Sequence, residues 1–370
     1  MGKQADTHKR QFAFLLIKIL YLLWFYQILQ VIDLNKLVDI GVTKKSIEIL
    51  LEVSYMRSND GLMVEGKDKK SAQSSQKNKL EGIIPAITSP CNEEDAFQEK
   101  TFMRLADWLY QQGVHGLYVC GATGEGYHMR LEERKAAVEI AVEKSRQFDG
   151  TTIAHIGSGN TRDAIELSEH AASAGADAIA SMPPANRSQV QLVNYYSDIA
   201  RASELPLLIY HIPQLTGQNL TADNLMELFD IPSVAGIKFS NNDLFLLRRL
   251  LIARPEMAVF IGNDELLCPA LLYGASGGIG MTYNLFPKLF VNIYQAVQSK
   301  DITRAMQLQK YFMDFLDLAL KYPFYAAFDL LMRRKGFGPF TYRRPREVLE
   351  GSTANNFLKE AEDIFAAIEG

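Results

Sequence analysis

The sequence predicts an α/β protein, a closed (β/α)8 TIM barrel with extra C-terminal helices. Three observations predict it. From Leu80 onward, short β-branched or apolar runs alternate with longer helical stretches, the pattern of a parallel sheet covered by helices. The alternation repeats eight times before residue 301, which is the count of a closed barrel. The polar residues gather where the strand runs end, and barrel active sites form at that end. An open doubly wound sheet is the competing architecture, and it would want a GxGxxG turn after its first strand. Here the first strand runs into Thr88-Ser89-Pro90, and the glycine-rich turn follows the second strand instead.

Strands are expected over 82–88, 116–121, 151–157, 177–183, 205–213, 234–240, 257–263 and 277–283. Helical periodicity falls between them, over 97–112, 131–147, 162–174 and 191–202. Beyond residue 300 the chain is helical again over 302–321, 324–335 and 353–368, as elements packed on the barrel or between subunits. The expected organisation is a catalytic barrel over 80–300 and a helical extension over 301–370.

Residues 1–78 read differently. A basic start (Lys3, Lys9, Arg10) leads into an apolar run over 12–32, interrupted by Lys18, Gln27 and Gln30. Its length is close to a membrane span, but the polar interruptions weaken a spanning reading, and no small-residue cleavage site follows it. A Lys-, Ser- and Gln-rich linker occupies 66–79. Three readings stand: a membrane anchor through 12–32, an amphipathic partner helix, or a start placed too far upstream, with Met56 or Met63 as the alternative.

The chain of 370 residues carries a net charge of −4. There is no basic stripe interleaved with aromatics, so nucleic acid is not an expected partner. Cys91, Cys120 and Cys268 are odd in number and widely spaced, which suits small hydrophobes in a reducing cytoplasm rather than a disulfide framework. The six histidines show no HxxxH spacing with an adjacent glutamate, and no metal site is expected.

The chemistry is carried by Lys238, inside the apolar stretch Gly236-Ile237-Lys238-Phe239-Ser240. Burial disfavours an ammonium, and a neutral amine is what attacks a carbonyl. Half of a buried ion pair is the other reading. Strand five ends in Tyr210-His211-Ile212-Pro213 and offers a phenol as proton shuttle or an ordinary core tyrosine. Strand two ends in Gly121-Ala122-Thr123-Gly124-Glu125-Gly126, either a tight turn or a backbone cradle for a carboxylate with Thr123 as a further donor. Asp264-Glu265 follow strand seven, as sugar ligands or as the start of a helix. Together the first two groups point to Schiff-base chemistry on a keto compound, which needs no cofactor because the protonated imine is itself the electron sink.

These three segments, Gly121-Ala122-Thr123-Gly124-Glu125, Tyr210-His211-Ile212-Pro213 and Gly236-Ile237-Lys238, resemble the signatures of the dihydrodipicolinate synthase / N-acetylneuraminate lyase family. The resemblance covers about residues 80–300. It implies a class I aldolase on a TIM barrel, a homotetramer acting on pyruvate or another 2-keto acid. It implies Lys238 as the imine-forming residue, Tyr210 as the proton shuttle, and Thr123 with neighbouring N–H groups on the carboxylate. Within the family, synthases carry an arginine two residues after the strand-five proline, where this chain has Leu215. They also carry a tyrosine after strand four, where this chain has Met182-Pro183-Pro184-Ala185-Asn186. The resemblance is therefore closer to the sialic acid lyases, which implies Asp264 and Glu265 on the polyol tail of a keto-sugar acid, with Ser240 and Gly262 nearby. Two positions depart from it. Ala122 stands where the family has a relay hydroxyl, and Met281 where the lyases have a serine touching the sugar. A slower enzyme, another substrate, or a pyruvate-binding member without turnover each follows from those departures.

Overall fold

The computed structural model describes residues 80–369, and the 12–32 segment lies outside them. Eight parallel strands are present: β1 (Gly82–Pro85), β2 (Gly116–Val119), β3 (Thr151–His155), β4 (Ala178–Ser181), β5 (Leu207–His211), β6 (Val234–Phe239), β7 (Ala258–Ile261) and β8 (Gly277–Gly280). They follow one another around the sheet, and β1 pairs with β8. The ring is completed between β1 and β2 by a parallel bridge from Ala86 to Tyr118, with the Ile87 N–H donating to the Tyr118 carbonyl at 3.1 Å. Gly277 makes the β8–β1 seam possible. A Cβ there would stand 1.9 Å from the Gly82 carbonyl oxygen.

Each predicted strand is present, and each ends one to three residues short of its predicted end. The trailing residues leave the ladder and become the mouth. Helices cross between strands: α1 (Glu99–Gln111), α2 (Leu131–Phe148), α3 (Thr161–Ala174), α4 (Gln189–Ser203), the single turn α5 (Pro213–Thr216), α6 (Ala222–Phe229), α7 (Leu244–Ala253), α8 (Leu267–Leu272) and α9 (Pro287–Gln298). Asn160 and Asp243 cap α3 and α7, accepting the N–H groups of Asp163 at 2.9 Å and Leu246 at 2.8 Å.

Strand residues alternate between two cores. Ile84, Ala86, Tyr118, Ile153, Ala178, Ala180, Leu208, Tyr210, Phe260 and Ile279 fill the barrel. Their neighbours, such as Leu207, Ile209, Val259 and Ile261, pack outward against the helices. Burial on both faces explains why these strands read as nearly continuous apolar runs. Among the described residues no helix is long and apolar enough to cross a membrane.

The chain then adds α10 (Ile302–Ala319), α11 (Phe324–Arg334) and α12 (Gly351–Glu369). Edge-on phenylalanine pairs join α10 to the barrel wall: Phe290 to Phe312 at 4.9 Å, and Phe286 to Phe315 at 4.8 Å. Between α11 and α12 the segment 338–346 returns to the mouth. Cys91 and Phe340 exchange backbone hydrogen bonds at 2.9 and 3.3 Å, and Asp95 accepts from Arg344 Nε and Arg346 Nη1, each at 2.8 Å.

Candidate active site

Lys238 points into the barrel from β6, where it is only 3 % exposed. Inward parity follows from Gly236 and Lys238 alternating with Ile237 and Phe239, which pack in the outer core. Its Nζ lies 4.2 Å from the ring centroid of Tyr210 and 4.3 Å from that of Tyr118. Among the described residues no carboxylate lies within ion-pair distance, which removes the ion-pair reading. Burial pulls its pKa down from 10.5 to about 7, against the Asp264 carboxylate, which acts in the opposite sense. The site therefore holds a substantial fraction of neutral amine near neutrality. Two ring faces stand ready for the positive charge that an imine nitrogen would acquire.

Tyr210 pairs with Lys238 in the β5–β6 ladder. Burial pushes its phenol well up, and the nearby Ser240 hydroxyl pulls the other way. Ser240 has this position because Gly262 stands opposite, where a Cβ would lie 1.9 Å from Ser240 Oγ and 3.3 Å from Lys238 Cε. His211, the next residue along β5, faces outward against Phe239. Its Nε2 lies 3.4 Å from Asn241 Nδ2, in the loop that follows β6.

The loop after β2 is bracketed by two non-glycine residues in the left-handed region, Cys120 at φ 59° and Glu125 at φ 50°. Strain of this kind collects at functional turns. Ala122 and Thr123 sit partly exposed at its tip, and Ala122 packs against the inner core. Glu125 does not face the mouth freely. Its Oε2 accepts the Arg343 N–H at 2.7 Å, tying the loop to the C-terminal segment.

Asp264 opens a single 3-10 turn, Asp264–Leu266. Its Oδ2 accepts from the Thr282 N–H at 2.7 Å and from the Thr282 hydroxyl at 2.5 Å, while Oδ1 has no partner among the described residues. Burial raises its pKa to about 6, against the Thr282 bonds. Asp264 acts electrostatically on both Lys238 and Tyr210. Glu265 is less buried and accepts from Asn263 Nδ2 at 3.1 Å. Met281 follows β8, and its Sδ lies 3.9 Å from the Tyr342 hydroxyl. Asn284 stitches this rim to β1, donating to the Ala86 and Met281 carbonyls at 2.8 Å each.

Several groups escaped the sequence reading. His155 is buried on β3 and spans Cys120 O at 3.1 Å and the Met182 N–H at 3.2 Å. Its ring meets that of Tyr210 edge-on at 6.0 Å, with burial holding the imidazole neutral. Tyr118 forms the second wall around the lysine. Tyr325 and Tyr342, ring to ring at 5.3 Å, approach from the C-terminal part of the chain. The one sequence signal for Tyr118 is its phenol in a four-residue strand buried on both faces.

Residues 79–363 match the family model described as the dihydrodipicolinate synthetase family. The chain belongs to that family. An N-acetylneuraminate lyase from Rhizobium meliloti (strain 1021) is 34% identical over 287 residues, 76% of this chain and 94% of that one. Among solved structures, a Clostridium difficile protein in complex with mannosamine is 28% identical, with a TM-score of 0.72 over 78% of this chain and 99% of that one. A dihydrodipicolinate synthase from Acinetobacter baumannii, complexed with pyruvate, is 28% identical, also with a TM-score of 0.72, over 78% and 99% of the two chains. This member of the dihydrodipicolinate synthetase family thus shares its barrel with both lyases and synthases.

Proposed function

We propose that the protein is a pyruvate-dependent class I aldolase, a carbon–carbon lyase that cleaves N-acetylneuraminate or a related keto-sugar acid to pyruvate and an aldose, reversibly. The observation that carries this is the buried Lys238 amine, with a pKa near 7 and no carboxylate partner among the described residues, set against the Tyr210 ring. The lyase relative and the mannosamine-bound neighbour support a sugar-derived aldehyde.

The steps follow from those groups. Lys238 attacks the keto carbon, and Tyr210 gives its proton to the departing hydroxyl, which leaves as water. The imine nitrogen is then cationic beside a Tyr210 phenolate. That phenolate takes the C4 hydroxyl proton as the C3–C4 bond breaks, and the electrons move into an enamine. Tyr210 returns the proton to C3. Water then adds to the imine, with the phenolate as base, and pyruvate leaves. No proton is needed from outside the cycle. In this reading Thr123 and the loop N–H groups hold the carboxylate. Ser240, Gly262, Asp264 and Glu265 line the path of the sugar tail.

A second reading changes only the aldehyde. Met281, held at Tyr342, offers a thioether where a polyol would want a hydroxyl. The three cysteines are free and buried, which fits a cytoplasmic setting. Phe245 is 74 % exposed on α7 and, with Ile252, fits assembly into a homotetramer.

Borohydride reduction in the presence of pyruvate tests the mechanism. The expected result is a pyruvate-derived mass adduct on Lys238, absent from Lys238→Ala. A wild-type protein that traps nothing sinks the proposal. A panel of aldehydes with pyruvate then identifies the partner. Adduct without any aldol reaction would instead mark a binding protein.

A further inference from the structure

Gln309 is a buried polar side chain that none of these steps uses. It stands on α10, one of the C-terminal helices, and is only 5 % exposed, on the face that also buries Ala305 and Phe312. A leucine or methionine would pack there without the cost of burying an amide. Both ends of that amide are used. Oε1 accepts the Cys268 N–H at 2.9 Å, and Nε2 donates to the Asp264 carbonyl at 3.2 Å. One side chain from α10 thus brackets the turn that follows β7.

The turn has few anchors of its own. Helix α8 opens at Leu266, which supplies no side-chain cap, so the Cys268 N–H finds its acceptor on α10 instead. The Asp264 carboxylate is tied to Thr282 through Oδ2 alone. Its Oδ1 is buried without a partner among the described residues and lies against Gly280, where a Cβ would stand 2.1 Å from it. Thr282 fixes one oxygen, and the backbone held by Gln309 decides where the other stands. Two residues earlier the chain passes beside the lysine: the Gly262 N–H donates to the Phe239 carbonyl at 2.8 Å, and a Cβ on Gly262 would lie 3.3 Å from Lys238 Cε. The titratable groups facing the carboxylate are Lys238 from β6, Tyr210 from β5, Glu265 in the same turn and Tyr283 after β8. Lys310, next to Gln309, pairs with Asp314 on the exposed side of α10.

We propose that Gln309 is a positioning residue: its amide holds the Asp264 turn from α10 and so fixes the Asp264 carboxylate against Lys238. The C-terminal helix then serves the mouth and is not packing alone. The inference rests on the Schiff-base reading above. Burial opposes the charge on Asp264. A turn released from Gln309 therefore lets the carboxylate move out towards water and away from the amine.

The initial rate of pyruvate trapping by cyanoborohydride, read against pH, tests this without knowledge of the aldehyde. Gln309→Met fills the same space without the amide. Its limb, set by the Lys238 amine, is expected about half a pH unit lower than in wild type. Trapping near pH 6 then rises about two- to threefold, a gain that mere loosening of the fold would not give. Asp264→Asn moves the limb the same way, and adding Gln309→Met to it is expected to move it no further. Gln307→Met, at an exposed position of α10, is expected to leave the limb in place. Near pH 8 the amine is neutral in every variant. There, deuterium uptake from D2O into the pyruvate methyl group reads enamine formation, and Gln309→Met is expected to stay within about twofold of wild type. An unmoved or raised limb, additive shifts in the double variant, an equal shift in Gln307→Met, or collapse of exchange near pH 8 overturns the proposal. Should Gln309→Met not fold, Gln309→Asn, one methylene too short to reach both backbone groups, is read in the same way. If wild type itself traps no pyruvate, the Schiff-base reading fails first, and the two failures are distinguishable.

Discussion

Lys238 and Asp264 are two buried ionisable groups whose environments pull their pKa values towards each other, to about 7 and about 6. Desolvation drives both shifts: it disfavours an ammonium in one case and a carboxylate in the other. The sign for activity follows from the nucleophile. Only the neutral amine attacks, so the rate of pyruvate adduct formation should rise with pH and level off above about 7. Below that it should fall about tenfold per unit as the ammonium takes over. The Asp264 charge raises the Lys238 pKa. Asp264→Asn is therefore expected to move this limb to lower pH, measured as initial trapping rate against pH. A limb that stays in place would mean that the carboxylate does not act on the amine. The pair Lys238 and Tyr210 was legible at this scale because a lysine or a phenol in a strand buried on both faces is chemically out of place. By the same rule Tyr118 was equally legible. Its phenol lies three residues before the Gly121–Gly126 loop, and the glycines and Thr123 of that loop are the features the sequence displays. His155 and Arg343 gave no comparable signal, because their partners are backbone groups or lie far away in sequence.

Among the elements, the strands and helices were readable from alternation, and their limits less so. Strand β1 reads as extended through Thr88, yet its ladder stops at Pro85 because Ala86 and the residues after it turn to bond β2, β8 and Asn284. The segment 338–346 carries no periodicity at all, and only the fold shows what it does. It fastens the β2 loop through Glu125 and the post-β1 loop through Cys91 and Asp95. Arg343 is 5 % exposed, with Nε and Nη2 unpaired among the described residues. Removing its carboxylate leaves an uncompensated buried charge. Glu125→Ala should therefore destabilise the protein by about 3–5 kcal/mol, read as a lower urea midpoint, and should weaken pyruvate binding as the loop loosens. A variant with an unchanged midpoint would show that the segment merely lies against the loop. The β1–β8 seam gives a second expectation. Gly277→Ala drives a methyl into the Gly82 carbonyl, and backbone cannot yield as a flexible side chain does. A loss of at least about 1–3 kcal/mol is expected, and a neutral result would contradict so close an approach.

At the scale of the whole molecule, the family match begins at residue 79, and the chain divides between Ser75 and Gln76. The Rhizobium meliloti lyase aligns over 94% of its own length with only 76% of this chain. The Clostridium difficile structure is covered to 99% by 78% of it. Relatives of that length complete the barrel and its C-terminal helices without the additional residues. Among the described residues, the inner core, the mouth and the segment 338–346 are built from Leu80 onward. If those positions suffice, a chain of residues 76–370 should fold with the same urea midpoint as the full chain. It should also give the same rate of deuterium uptake into pyruvate, since Lys238, Tyr210, Tyr118 and Asp264 all belong to it. Both measurements are needed. A retained midpoint with lost exchange would mean that the first 75 residues act at the mouth. A fall in both would mean that they are part of the fold, and that the boundary drawn by the family match is not a boundary in the energetics of this chain.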